Sequence, residues 1–275
     1  MADKRESSKA IGVFDSGIGG LTVVREIIRR LPDEDIVYLG DTARLPYGTK
    51  SPGVVRGFAR ENLHFLKSRD VKMIVVACNT ASSVALPELA DNEEIPVIGV
   101  IEPGAKAAVE ETRTGRIGVI GTTATIRSGS YEKAIRRLKG NVEVWSHACP
   151  LFVPLVEEGW IDDEVTYLAA KRYLEGLPSF GADVLVLGCT HYPLIKHVIA
   201  RAVGEDVRLV DSATETSIEV EKVLEANGLK NRKNTQGKID VYVTDVSYGF
   251  REMGERFLGK EISTFIKIDL VEVSE

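Results

Sequence analysis

Cysteine is scarce: three residues in 275, widely spaced and odd in number, which excludes a disulfide framework and leaves free thiols. No apolar run approaches the length that a membrane-spanning helix needs. Positive charge is not in excess either, since 35 lysines and arginines face 41 aspartates and glutamates for a net charge of −6. A phosphate-backbone partner would ask for a basic stripe, so neither nucleic acid nor membrane is an expected partner. Residues 1–9 are charged and lack an apolar h-region, so no secretory signal is expected and the expected location is cytoplasmic. At 44% hydrophobic and 28% charged, the composition is that of an ordinary globular chain rather than a disordered or fibrous one. The length suffices for two domains or one large one.

The pattern along the chain alternates. A polar tail, expected to fray, leads into a short apolar strand at 10–14 that ends in Asp15-Ser16-Gly17-Ile18-Gly19-Gly20. Residues 21–31 carry helical spacing, stopped by Pro32. A strand at 35–39 closes in Gly40-Asp41-Thr42, and a Gly/Pro-punctuated loop around Tyr47 and Gly48 precedes a helix reaching about Ser68. A β-branched run at 73–77 reads as a strand buried on both faces, ending in Cys78-Asn79-Thr80, and another strand follows at 96–101. Strands alternating with helices mean parallel β-α units.

The text then begins again. Ile117-Gly118-Val119-Ile120-Gly121-Thr122 echoes Ile11-Gly12-Val13-Phe14-Asp15-Ser16, residues 143–149 faintly echo 35–41, and the stretch 183–193 repeats a buried strand that ends in Cys189-Thr190-His191. The spacing between the copies is nearly constant over three strands, which indicates an internal duplication. From Asp211 onward come a helix, a strand, a helix and a strand with no counterpart, best placed if they return to complete the first unit. The expected architecture is α/β: two pseudo-symmetric domains with mostly parallel sheets flanked by helices, one of residues 10–101 plus 211–270, the other of residues 102–210. The active site is expected in the cleft between them.

A thiol at the carboxyl end of a strand, facing a helix N-terminus, sits where open α/β sheets bind ligands. The unpaired N–H groups there are expected to lower its pKa. Two such thiols facing one molecule suit inversion of a stereocentre, with a base on one face of the carbon and an acid on the other. The developing carbanion would need hydrogen-bond donors in a cleft closed to water. Nothing suggests a pyridoxal-lysine or nicotinamide site, so no cofactor is expected.

Four blocks carry a resemblance: Asp15-Ser16-Gly17-x-Gly19-Gly20-Leu21-Thr22; Gly40-Asp41-Thr42 with Pro46-Tyr47-Gly48; Cys78-Asn79-Thr80-Ala81; and Gly188-Cys189-Thr190-His191-Tyr192-Pro193. In order, from about Ile11 to Leu270, they resemble the glutamate racemases of the cofactor-independent aspartate/glutamate racemase superfamily. The resemblance implies interconversion of L- and D-glutamate, supplying D-glutamate for peptidoglycan. It implies Cys78 and Cys189 as the acid/bases, with Asp15 assisting Cys78 and His191 assisting Cys189. The thiol matching Cys78 would act on D-glutamate and that matching Cys189 on L-glutamate. Asp15, Ser16, Tyr47, Gly48, Asn79, Thr80, Thr190 and His191 match substrate-binding positions, and Glu157 sits where the family has a carboxylate near the second thiol. A homodimer is the assembly expected.

Blander and rival readings stand beside these. Cys149, in Ala148-Cys149-Pro150, reads as buried packing. Cys189-Thr190-His191 lacks the companion spacing of a zinc site, so no metal is expected. The Asp15–Gly20 turn fits neither the dinucleotide nor the P-loop pattern, and its Asp or Ser is expected to cap the following helix. The rival functions are racemisation of a related amino acid such as aspartate, a non-catalytic clamp for a dicarboxylate, and a cysteine hydrolase using Cys189 with His191. The last is disfavoured because residues two apart on one strand end rarely meet.

Overall fold

The computed structural model describes residues 4–91, 93–233, 235–246 and 249–270. Among these described residues ten strands form two sheets, and every pairing is parallel. The first four are β1 (Ile11–Asp15), β2 (Ile36–Gly40), β3 (Met73–Val76) and β4 (Val97–Gly99). They are followed by β5 (Arg116–Gly121), β6 (Glu143–Ala148), β7 (Val184–Gly188) and β8 (Arg208–Asp211). The chain closes with β9 (Ile239–Val243) and β10 (Phe265–Lys267). The larger sheet runs β10-β9-β2-β1-β3-β4 and the smaller one β6-β5-β7-β8. The order β2-β1-β3-β4 is therefore repeated as β6-β5-β7-β8. The last two strands return to the first sheet and extend it beyond β2.

Strands β1, β2, β3 and β7 are buried along their whole length, as their unbroken apolar runs require when helices cover both faces. One core runs through both sheets. It gathers Leu21, Val24 and Ile27 from the helix Leu21–Arg30, Ala105 and Ala108 from Ile101–Glu111, and Val220 and Leu224 from Ser212–Ala226. A second core lies on the other face of the larger sheet, where Val55, Leu63 and Leu66 of Pro52–Lys67 cover Phe14, Leu39 and Val76. Each fully buried aliphatic side chain contributes about 2 kcal/mol, so the shared core binds the two sheets into one body.

Two expectations change. The tail is not frayed throughout: Lys4–Ser7 is a helical turn, and residues 1–3 lie outside the described residues. Asp211, expected to open the returning segment, instead ends β8, and its carboxylate caps the next helix by accepting from Ala213 N–H at 3.0 Å. Among the described residues no helix is long and apolar enough to cross a membrane.

Candidate active site

In both sheets the strand order reverses beside the strand that opens the unit, between β1 and β3 and between β5 and β7. At such a switch point adjacent loops diverge and leave a crevice at the carboxyl ends of the strands. Asp15-Ser16 and Cys78 stand at the first crevice, Thr122 and Cys189 at the second. The crevices open onto one cavity of about 320 Å³ lined by both thiols. Ser16, Gly17, Gly48, Asn79 and Thr80 supply much of one wall; Thr122, Pro154, Glu157, Thr190 and His191 supply much of the other. Neither lysine nor arginine is among the lining residues.

The two halves meet closely around this space. Thr22 Oγ1 donates to the Thr190 carbonyl at 3.0 Å, and the Thr80 and Thr122 hydroxyls lie 2.9 Å apart. Glycine is required at two of these approaches. A Cβ on Gly19 would lie 2.4 Å from Thr190 Oγ1 and 2.6 Å from the His191 ring, and one on Gly48 would lie 2.8 Å from Thr122 Cβ.

Cys78 is the N-cap of the six-residue helix Asn79–Val84; its sulfur accepts from Ala81 N–H at 3.4 Å and its thiol donates to Ser16 Oγ at 3.5 Å. The expectation of a lowered pKa does not hold for this thiol. Burial, then the neighbouring Asp15 carboxylate, push it up to about 12 against the pull of Ala81 and Ser16. One long N–H contact cannot offset desolvation of a thiolate beside a second anion. Asp15 is fully buried behind Ser16 and outside the cavity lining. Its Oδ2 accepts from Gly17 N–H at 2.9 Å, while its Oδ1 is buried without a partner. Burial raises its own pKa although the charge of His191 opposes this. Asp15 does not cap the following helix: the N-cap position belongs to Gly20, without a side-chain cap.

Around Cys189 the surroundings differ. His191 Nδ1 lies 3.9 Å from the sulfur, and Nε2 lies 3.1 Å from Glu157 Oε1. The two residues thus do meet, because the chain turns sharply after β7 and folds the imidazole back over the thiol. Burial disfavours the imidazolium, but Cys189 and Glu157 outweigh it and carry the pKa up to about 10. At neutral pH this side therefore holds a cation between a sulfur and a carboxylate.

The remaining sequence-selected residues fall into place unevenly. Tyr47 lines the cavity, yet its ring is buried against Phe58 and its hydroxyl is spent on Asp41 and Asn62. What it can offer a ligand is its backbone. Asn79 gives its Nδ2 to Tyr131 and keeps Oδ1 buried without a partner. Cys149 is fully buried at the end of β6, away from the cavity lining, and burial pushes its thiol up. Sequence reasoning missed Thr122, which ends the β5 repeat where Ser16 ends the first; the echo of the two strands contained that signal. It also missed Pro150, Val153 and Pro154, whose apolar wall no motif announces. Among the described residues no group of three or more His, Cys, Asp or Glu is placed to hold a metal ion.

Comparison with known proteins points the same way. Residues 11–217 match the family model described as Asp/Glu/Hydantoin racemase. The glutamate racemase of Geobacter metallireducens is 55% identical over 262 residues, 95% of this chain and 97% of that protein. Among solved structures, glutamate racemase isoform RacE1 from Bacillus anthracis superimposes with a TM-score of 0.91 at 45% identity, covering 95% of this chain and 98% of the other. The Francisella tularensis glutamate racemase in complex with D-glutamate gives 0.90 at 40% identity, covering 96% and 98%. With a match of that extent to sequence and fold alike, this chain belongs to the Asp/Glu/Hydantoin racemase family of isomerases and groups there with the glutamate racemases.

Proposed function

We propose that the chain interconverts L- and D-glutamate without a cofactor by two-base proton transfer between Cys78 and Cys189, supplying D-glutamate for peptidoglycan synthesis. The observation that carries this reading is that two equivalent strands, one from each half, deliver their thiols to a single cavity. With L-glutamate, the Cys189 thiolate takes the Cα proton, forming an S–H bond, and the Cys78 thiol gives its proton to the opposite face of the same carbon. The product is D-glutamate, with the thiolate now on Cys78. The reverse reaction runs from that form.

The surroundings suit these roles. The His191 cation is the counter-charge for a thiolate at Cys189. Cys78, pushed up to about 12, rests as the thiol that this direction needs. Burial raises the pKa of Asp15, the direction that would ease its repulsion of a thiolate at Cys78. For the substrate, the cavity wall offers hydroxyl oxygens as acceptors to its ammonium group. The hydroxyls of Ser16, Thr80, Thr122 and Thr190, with backbone N–H groups, are the donors available to its carboxylates. These neutral, fixed donors also stabilise charge developing at Cα.

Incubation of either enantiomer in D₂O tests the mechanism: the inverted product should carry deuterium at Cα, and active protein without that exchange would remove the two-base scheme. A side-by-side assay with aspartate decides the substrate. The 3.9 Å approach of Cys189 and His191 removes the geometric objection to a cysteine hydrolase but leaves the second cysteine unexplained; an acyl group trapped on Cys189 would establish that chemistry in place of this one.

A further inference from the structure

The turn that carries His191 leaves one of its carbonyls without a local donor. After β7 the chain folds through residues 189–195, where Tyr192 N–H donates to the Cys189 carbonyl at 3.1 Å and Leu194 N–H donates to the His191 carbonyl at 3.2 Å. The carbonyl between them is that of Thr190. Three residues on, where its donor would stand, is Pro193, whose nitrogen has no proton to give. Thr190 is buried, and an acceptor left unpaired there is costly. The donor comes from the first half instead. Thr22 Oγ1 reaches the Thr190 carbonyl at 3.0 Å, and among the described residues no other donor is paired with it.

Thr22 stands in the first turn of the helix Leu21–Arg30 and is fully buried. Its single hydroxyl proton has two carbonyls in reach, Thr190 and, at 2.8 Å, Gly19 of its own half. Gly19 is already served, because its carbonyl accepts from Thr22 N–H at 3.0 Å. A carbonyl that keeps one donor loses less than a buried carbonyl left with none, so the proton is assigned to Thr190. That carbonyl belongs to the planar unit running into His191, and fixing its direction fixes where the imidazole leaves the chain. Two further contacts from the first half meet the ring itself. A Cβ on Gly19 would lie 2.6 Å from it, and Phe257, from the helix Phe250–Leu258, stands edge-on with ring centres 5.0 Å apart.

We infer that Thr22 is a positioning residue for proton transfer at Cys189, although it lies in the other half: its hydroxyl holds the 189–191 turn in the form that folds His191 over the sulfur. The inference rests on the proposed glutamate reading. It makes the base of the second half depend on contact with the first. Halves drawn apart would keep Cys189 and His191 as near neighbours in sequence, but would lose the donor that holds them at 3.9 Å.

Thr22→Val tests this, keeping the branched shape and removing the proton. kcat should fall about tenfold in both directions, the scale on which a slightly misplaced reacting group is felt. The Cα-deuterium isotope effect should rise for L-glutamate, whose proton Cys189 takes, and stay unchanged for D-glutamate. Thr22→Ser keeps the hydroxyl and loses a buried methyl, so it should lower Tm while holding kcat within about twofold of the unaltered protein. Should Thr22→Val not fold, Thr22→Ala beside Thr22→Ser gives the same contrast. A rise in the isotope effect for D-glutamate would show that the hydroxyl serves Gly19 and its own half, and would overturn the assignment. So would an unchanged kcat in Thr22→Val, or equal losses in the valine and serine variants, the mark of packing alone. Failure of the unaltered protein to racemise glutamate overturns the underlying reading instead.

Discussion

The two halves bring a thiol to equivalent places by the same strand order, then surround it with different chemistry. In the first half the partner is Asp15, at the end of β1; the residue in the same place of the second half is Gly121, which has no side chain to contribute. In the second half the partner is His191, two residues beyond the thiol; the corresponding residue of the first half is Thr80, a neutral hydroxyl. One sulfur therefore lies beside a buried carboxyl that raises its pKa, the other beside a cation braced by Glu157. The repeated strand order sets the geometry, and different residues at non-equivalent positions set opposite electrostatics. Unlike partners of this kind are what the proposed 1,1-proton transfer asks for, since its acid and its base stand on opposite faces of one carbon.

The most severe way to break the comparison is to remove either sulfur. Cys78→Ser and Cys189→Ser should each lower kcat by about 10³-fold or more in both directions, because every turnover of the proposed scheme uses both groups. Near-normal racemisation by either variant would cancel the role given to that cysteine.

Replacing the unlike partners sharpens it. Asp15→Asn and His191→Asn should each cost about 10²-fold in kcat. Equal energies of the enantiomers force kcat/KM to be the same in both directions, so the difference must appear elsewhere. The deuterium isotope effect should grow for D-glutamate in Asp15→Asn and for L-glutamate in His191→Asn, since each loss slows removal of the proton by the neighbouring sulfur. Equal isotope effects in both variants would show that the partners do not act side by side with their thiols.

A pH profile probes the second half alone. The imidazolium persists below about 10 and is lost as pH rises through that value, so kcat/KM should fall on an alkaline limb near pH 10. In His191→Asn the limb should become shallower, leaving only the fall due to deprotonation of the substrate's own ammonium group. The mildest change is Glu157→Gln, which removes a charge that raises the His191 pKa. It should move the limb to lower pH and reduce activity about tenfold at the old limb, the equivalent of one pKa unit. A limb that stays in place would show that Cys189 alone sustains the cation.

Much of this was legible before the fold was known, for identifiable reasons. Buried parallel strands are written as unbroken apolar runs, and the echo of residues 11–16 in 117–122 announced the repeated sheet order. The thiols were legible because strand ends in such sheets are ligand sites. Less legible was whatever depends on long-range packing. The pKa of Cys78 turns on how completely its surroundings exclude water, and no local pattern contains that. The N-terminal helix rule suggested the opposite sign, and it lost to burial and to Asp15. The meeting of Cys189 with His191 depends on the turn after β7, whose tightness two residues do not encode. Tyr47 was readable as a cavity residue but not as one whose hydroxyl is occupied by Asp41. The bond between Tyr131 and Asn79 gave no sign at all, since the partners are more than fifty residues apart.

The larger sheet takes β9 and β10 from the chain beyond β8, whereas the smaller sheet is built from one uninterrupted segment. During synthesis, the smaller sheet has all its strands while the outer edge of β2 still waits for β9. Until that strand emerges, β2 exposes a bare hydrogen-bonding edge, the kind of surface on which nascent chains associate wrongly. A released chain ending at residue 226 should therefore protect the inner strands of the second sheet from proteolysis while leaving β2 open to cleavage.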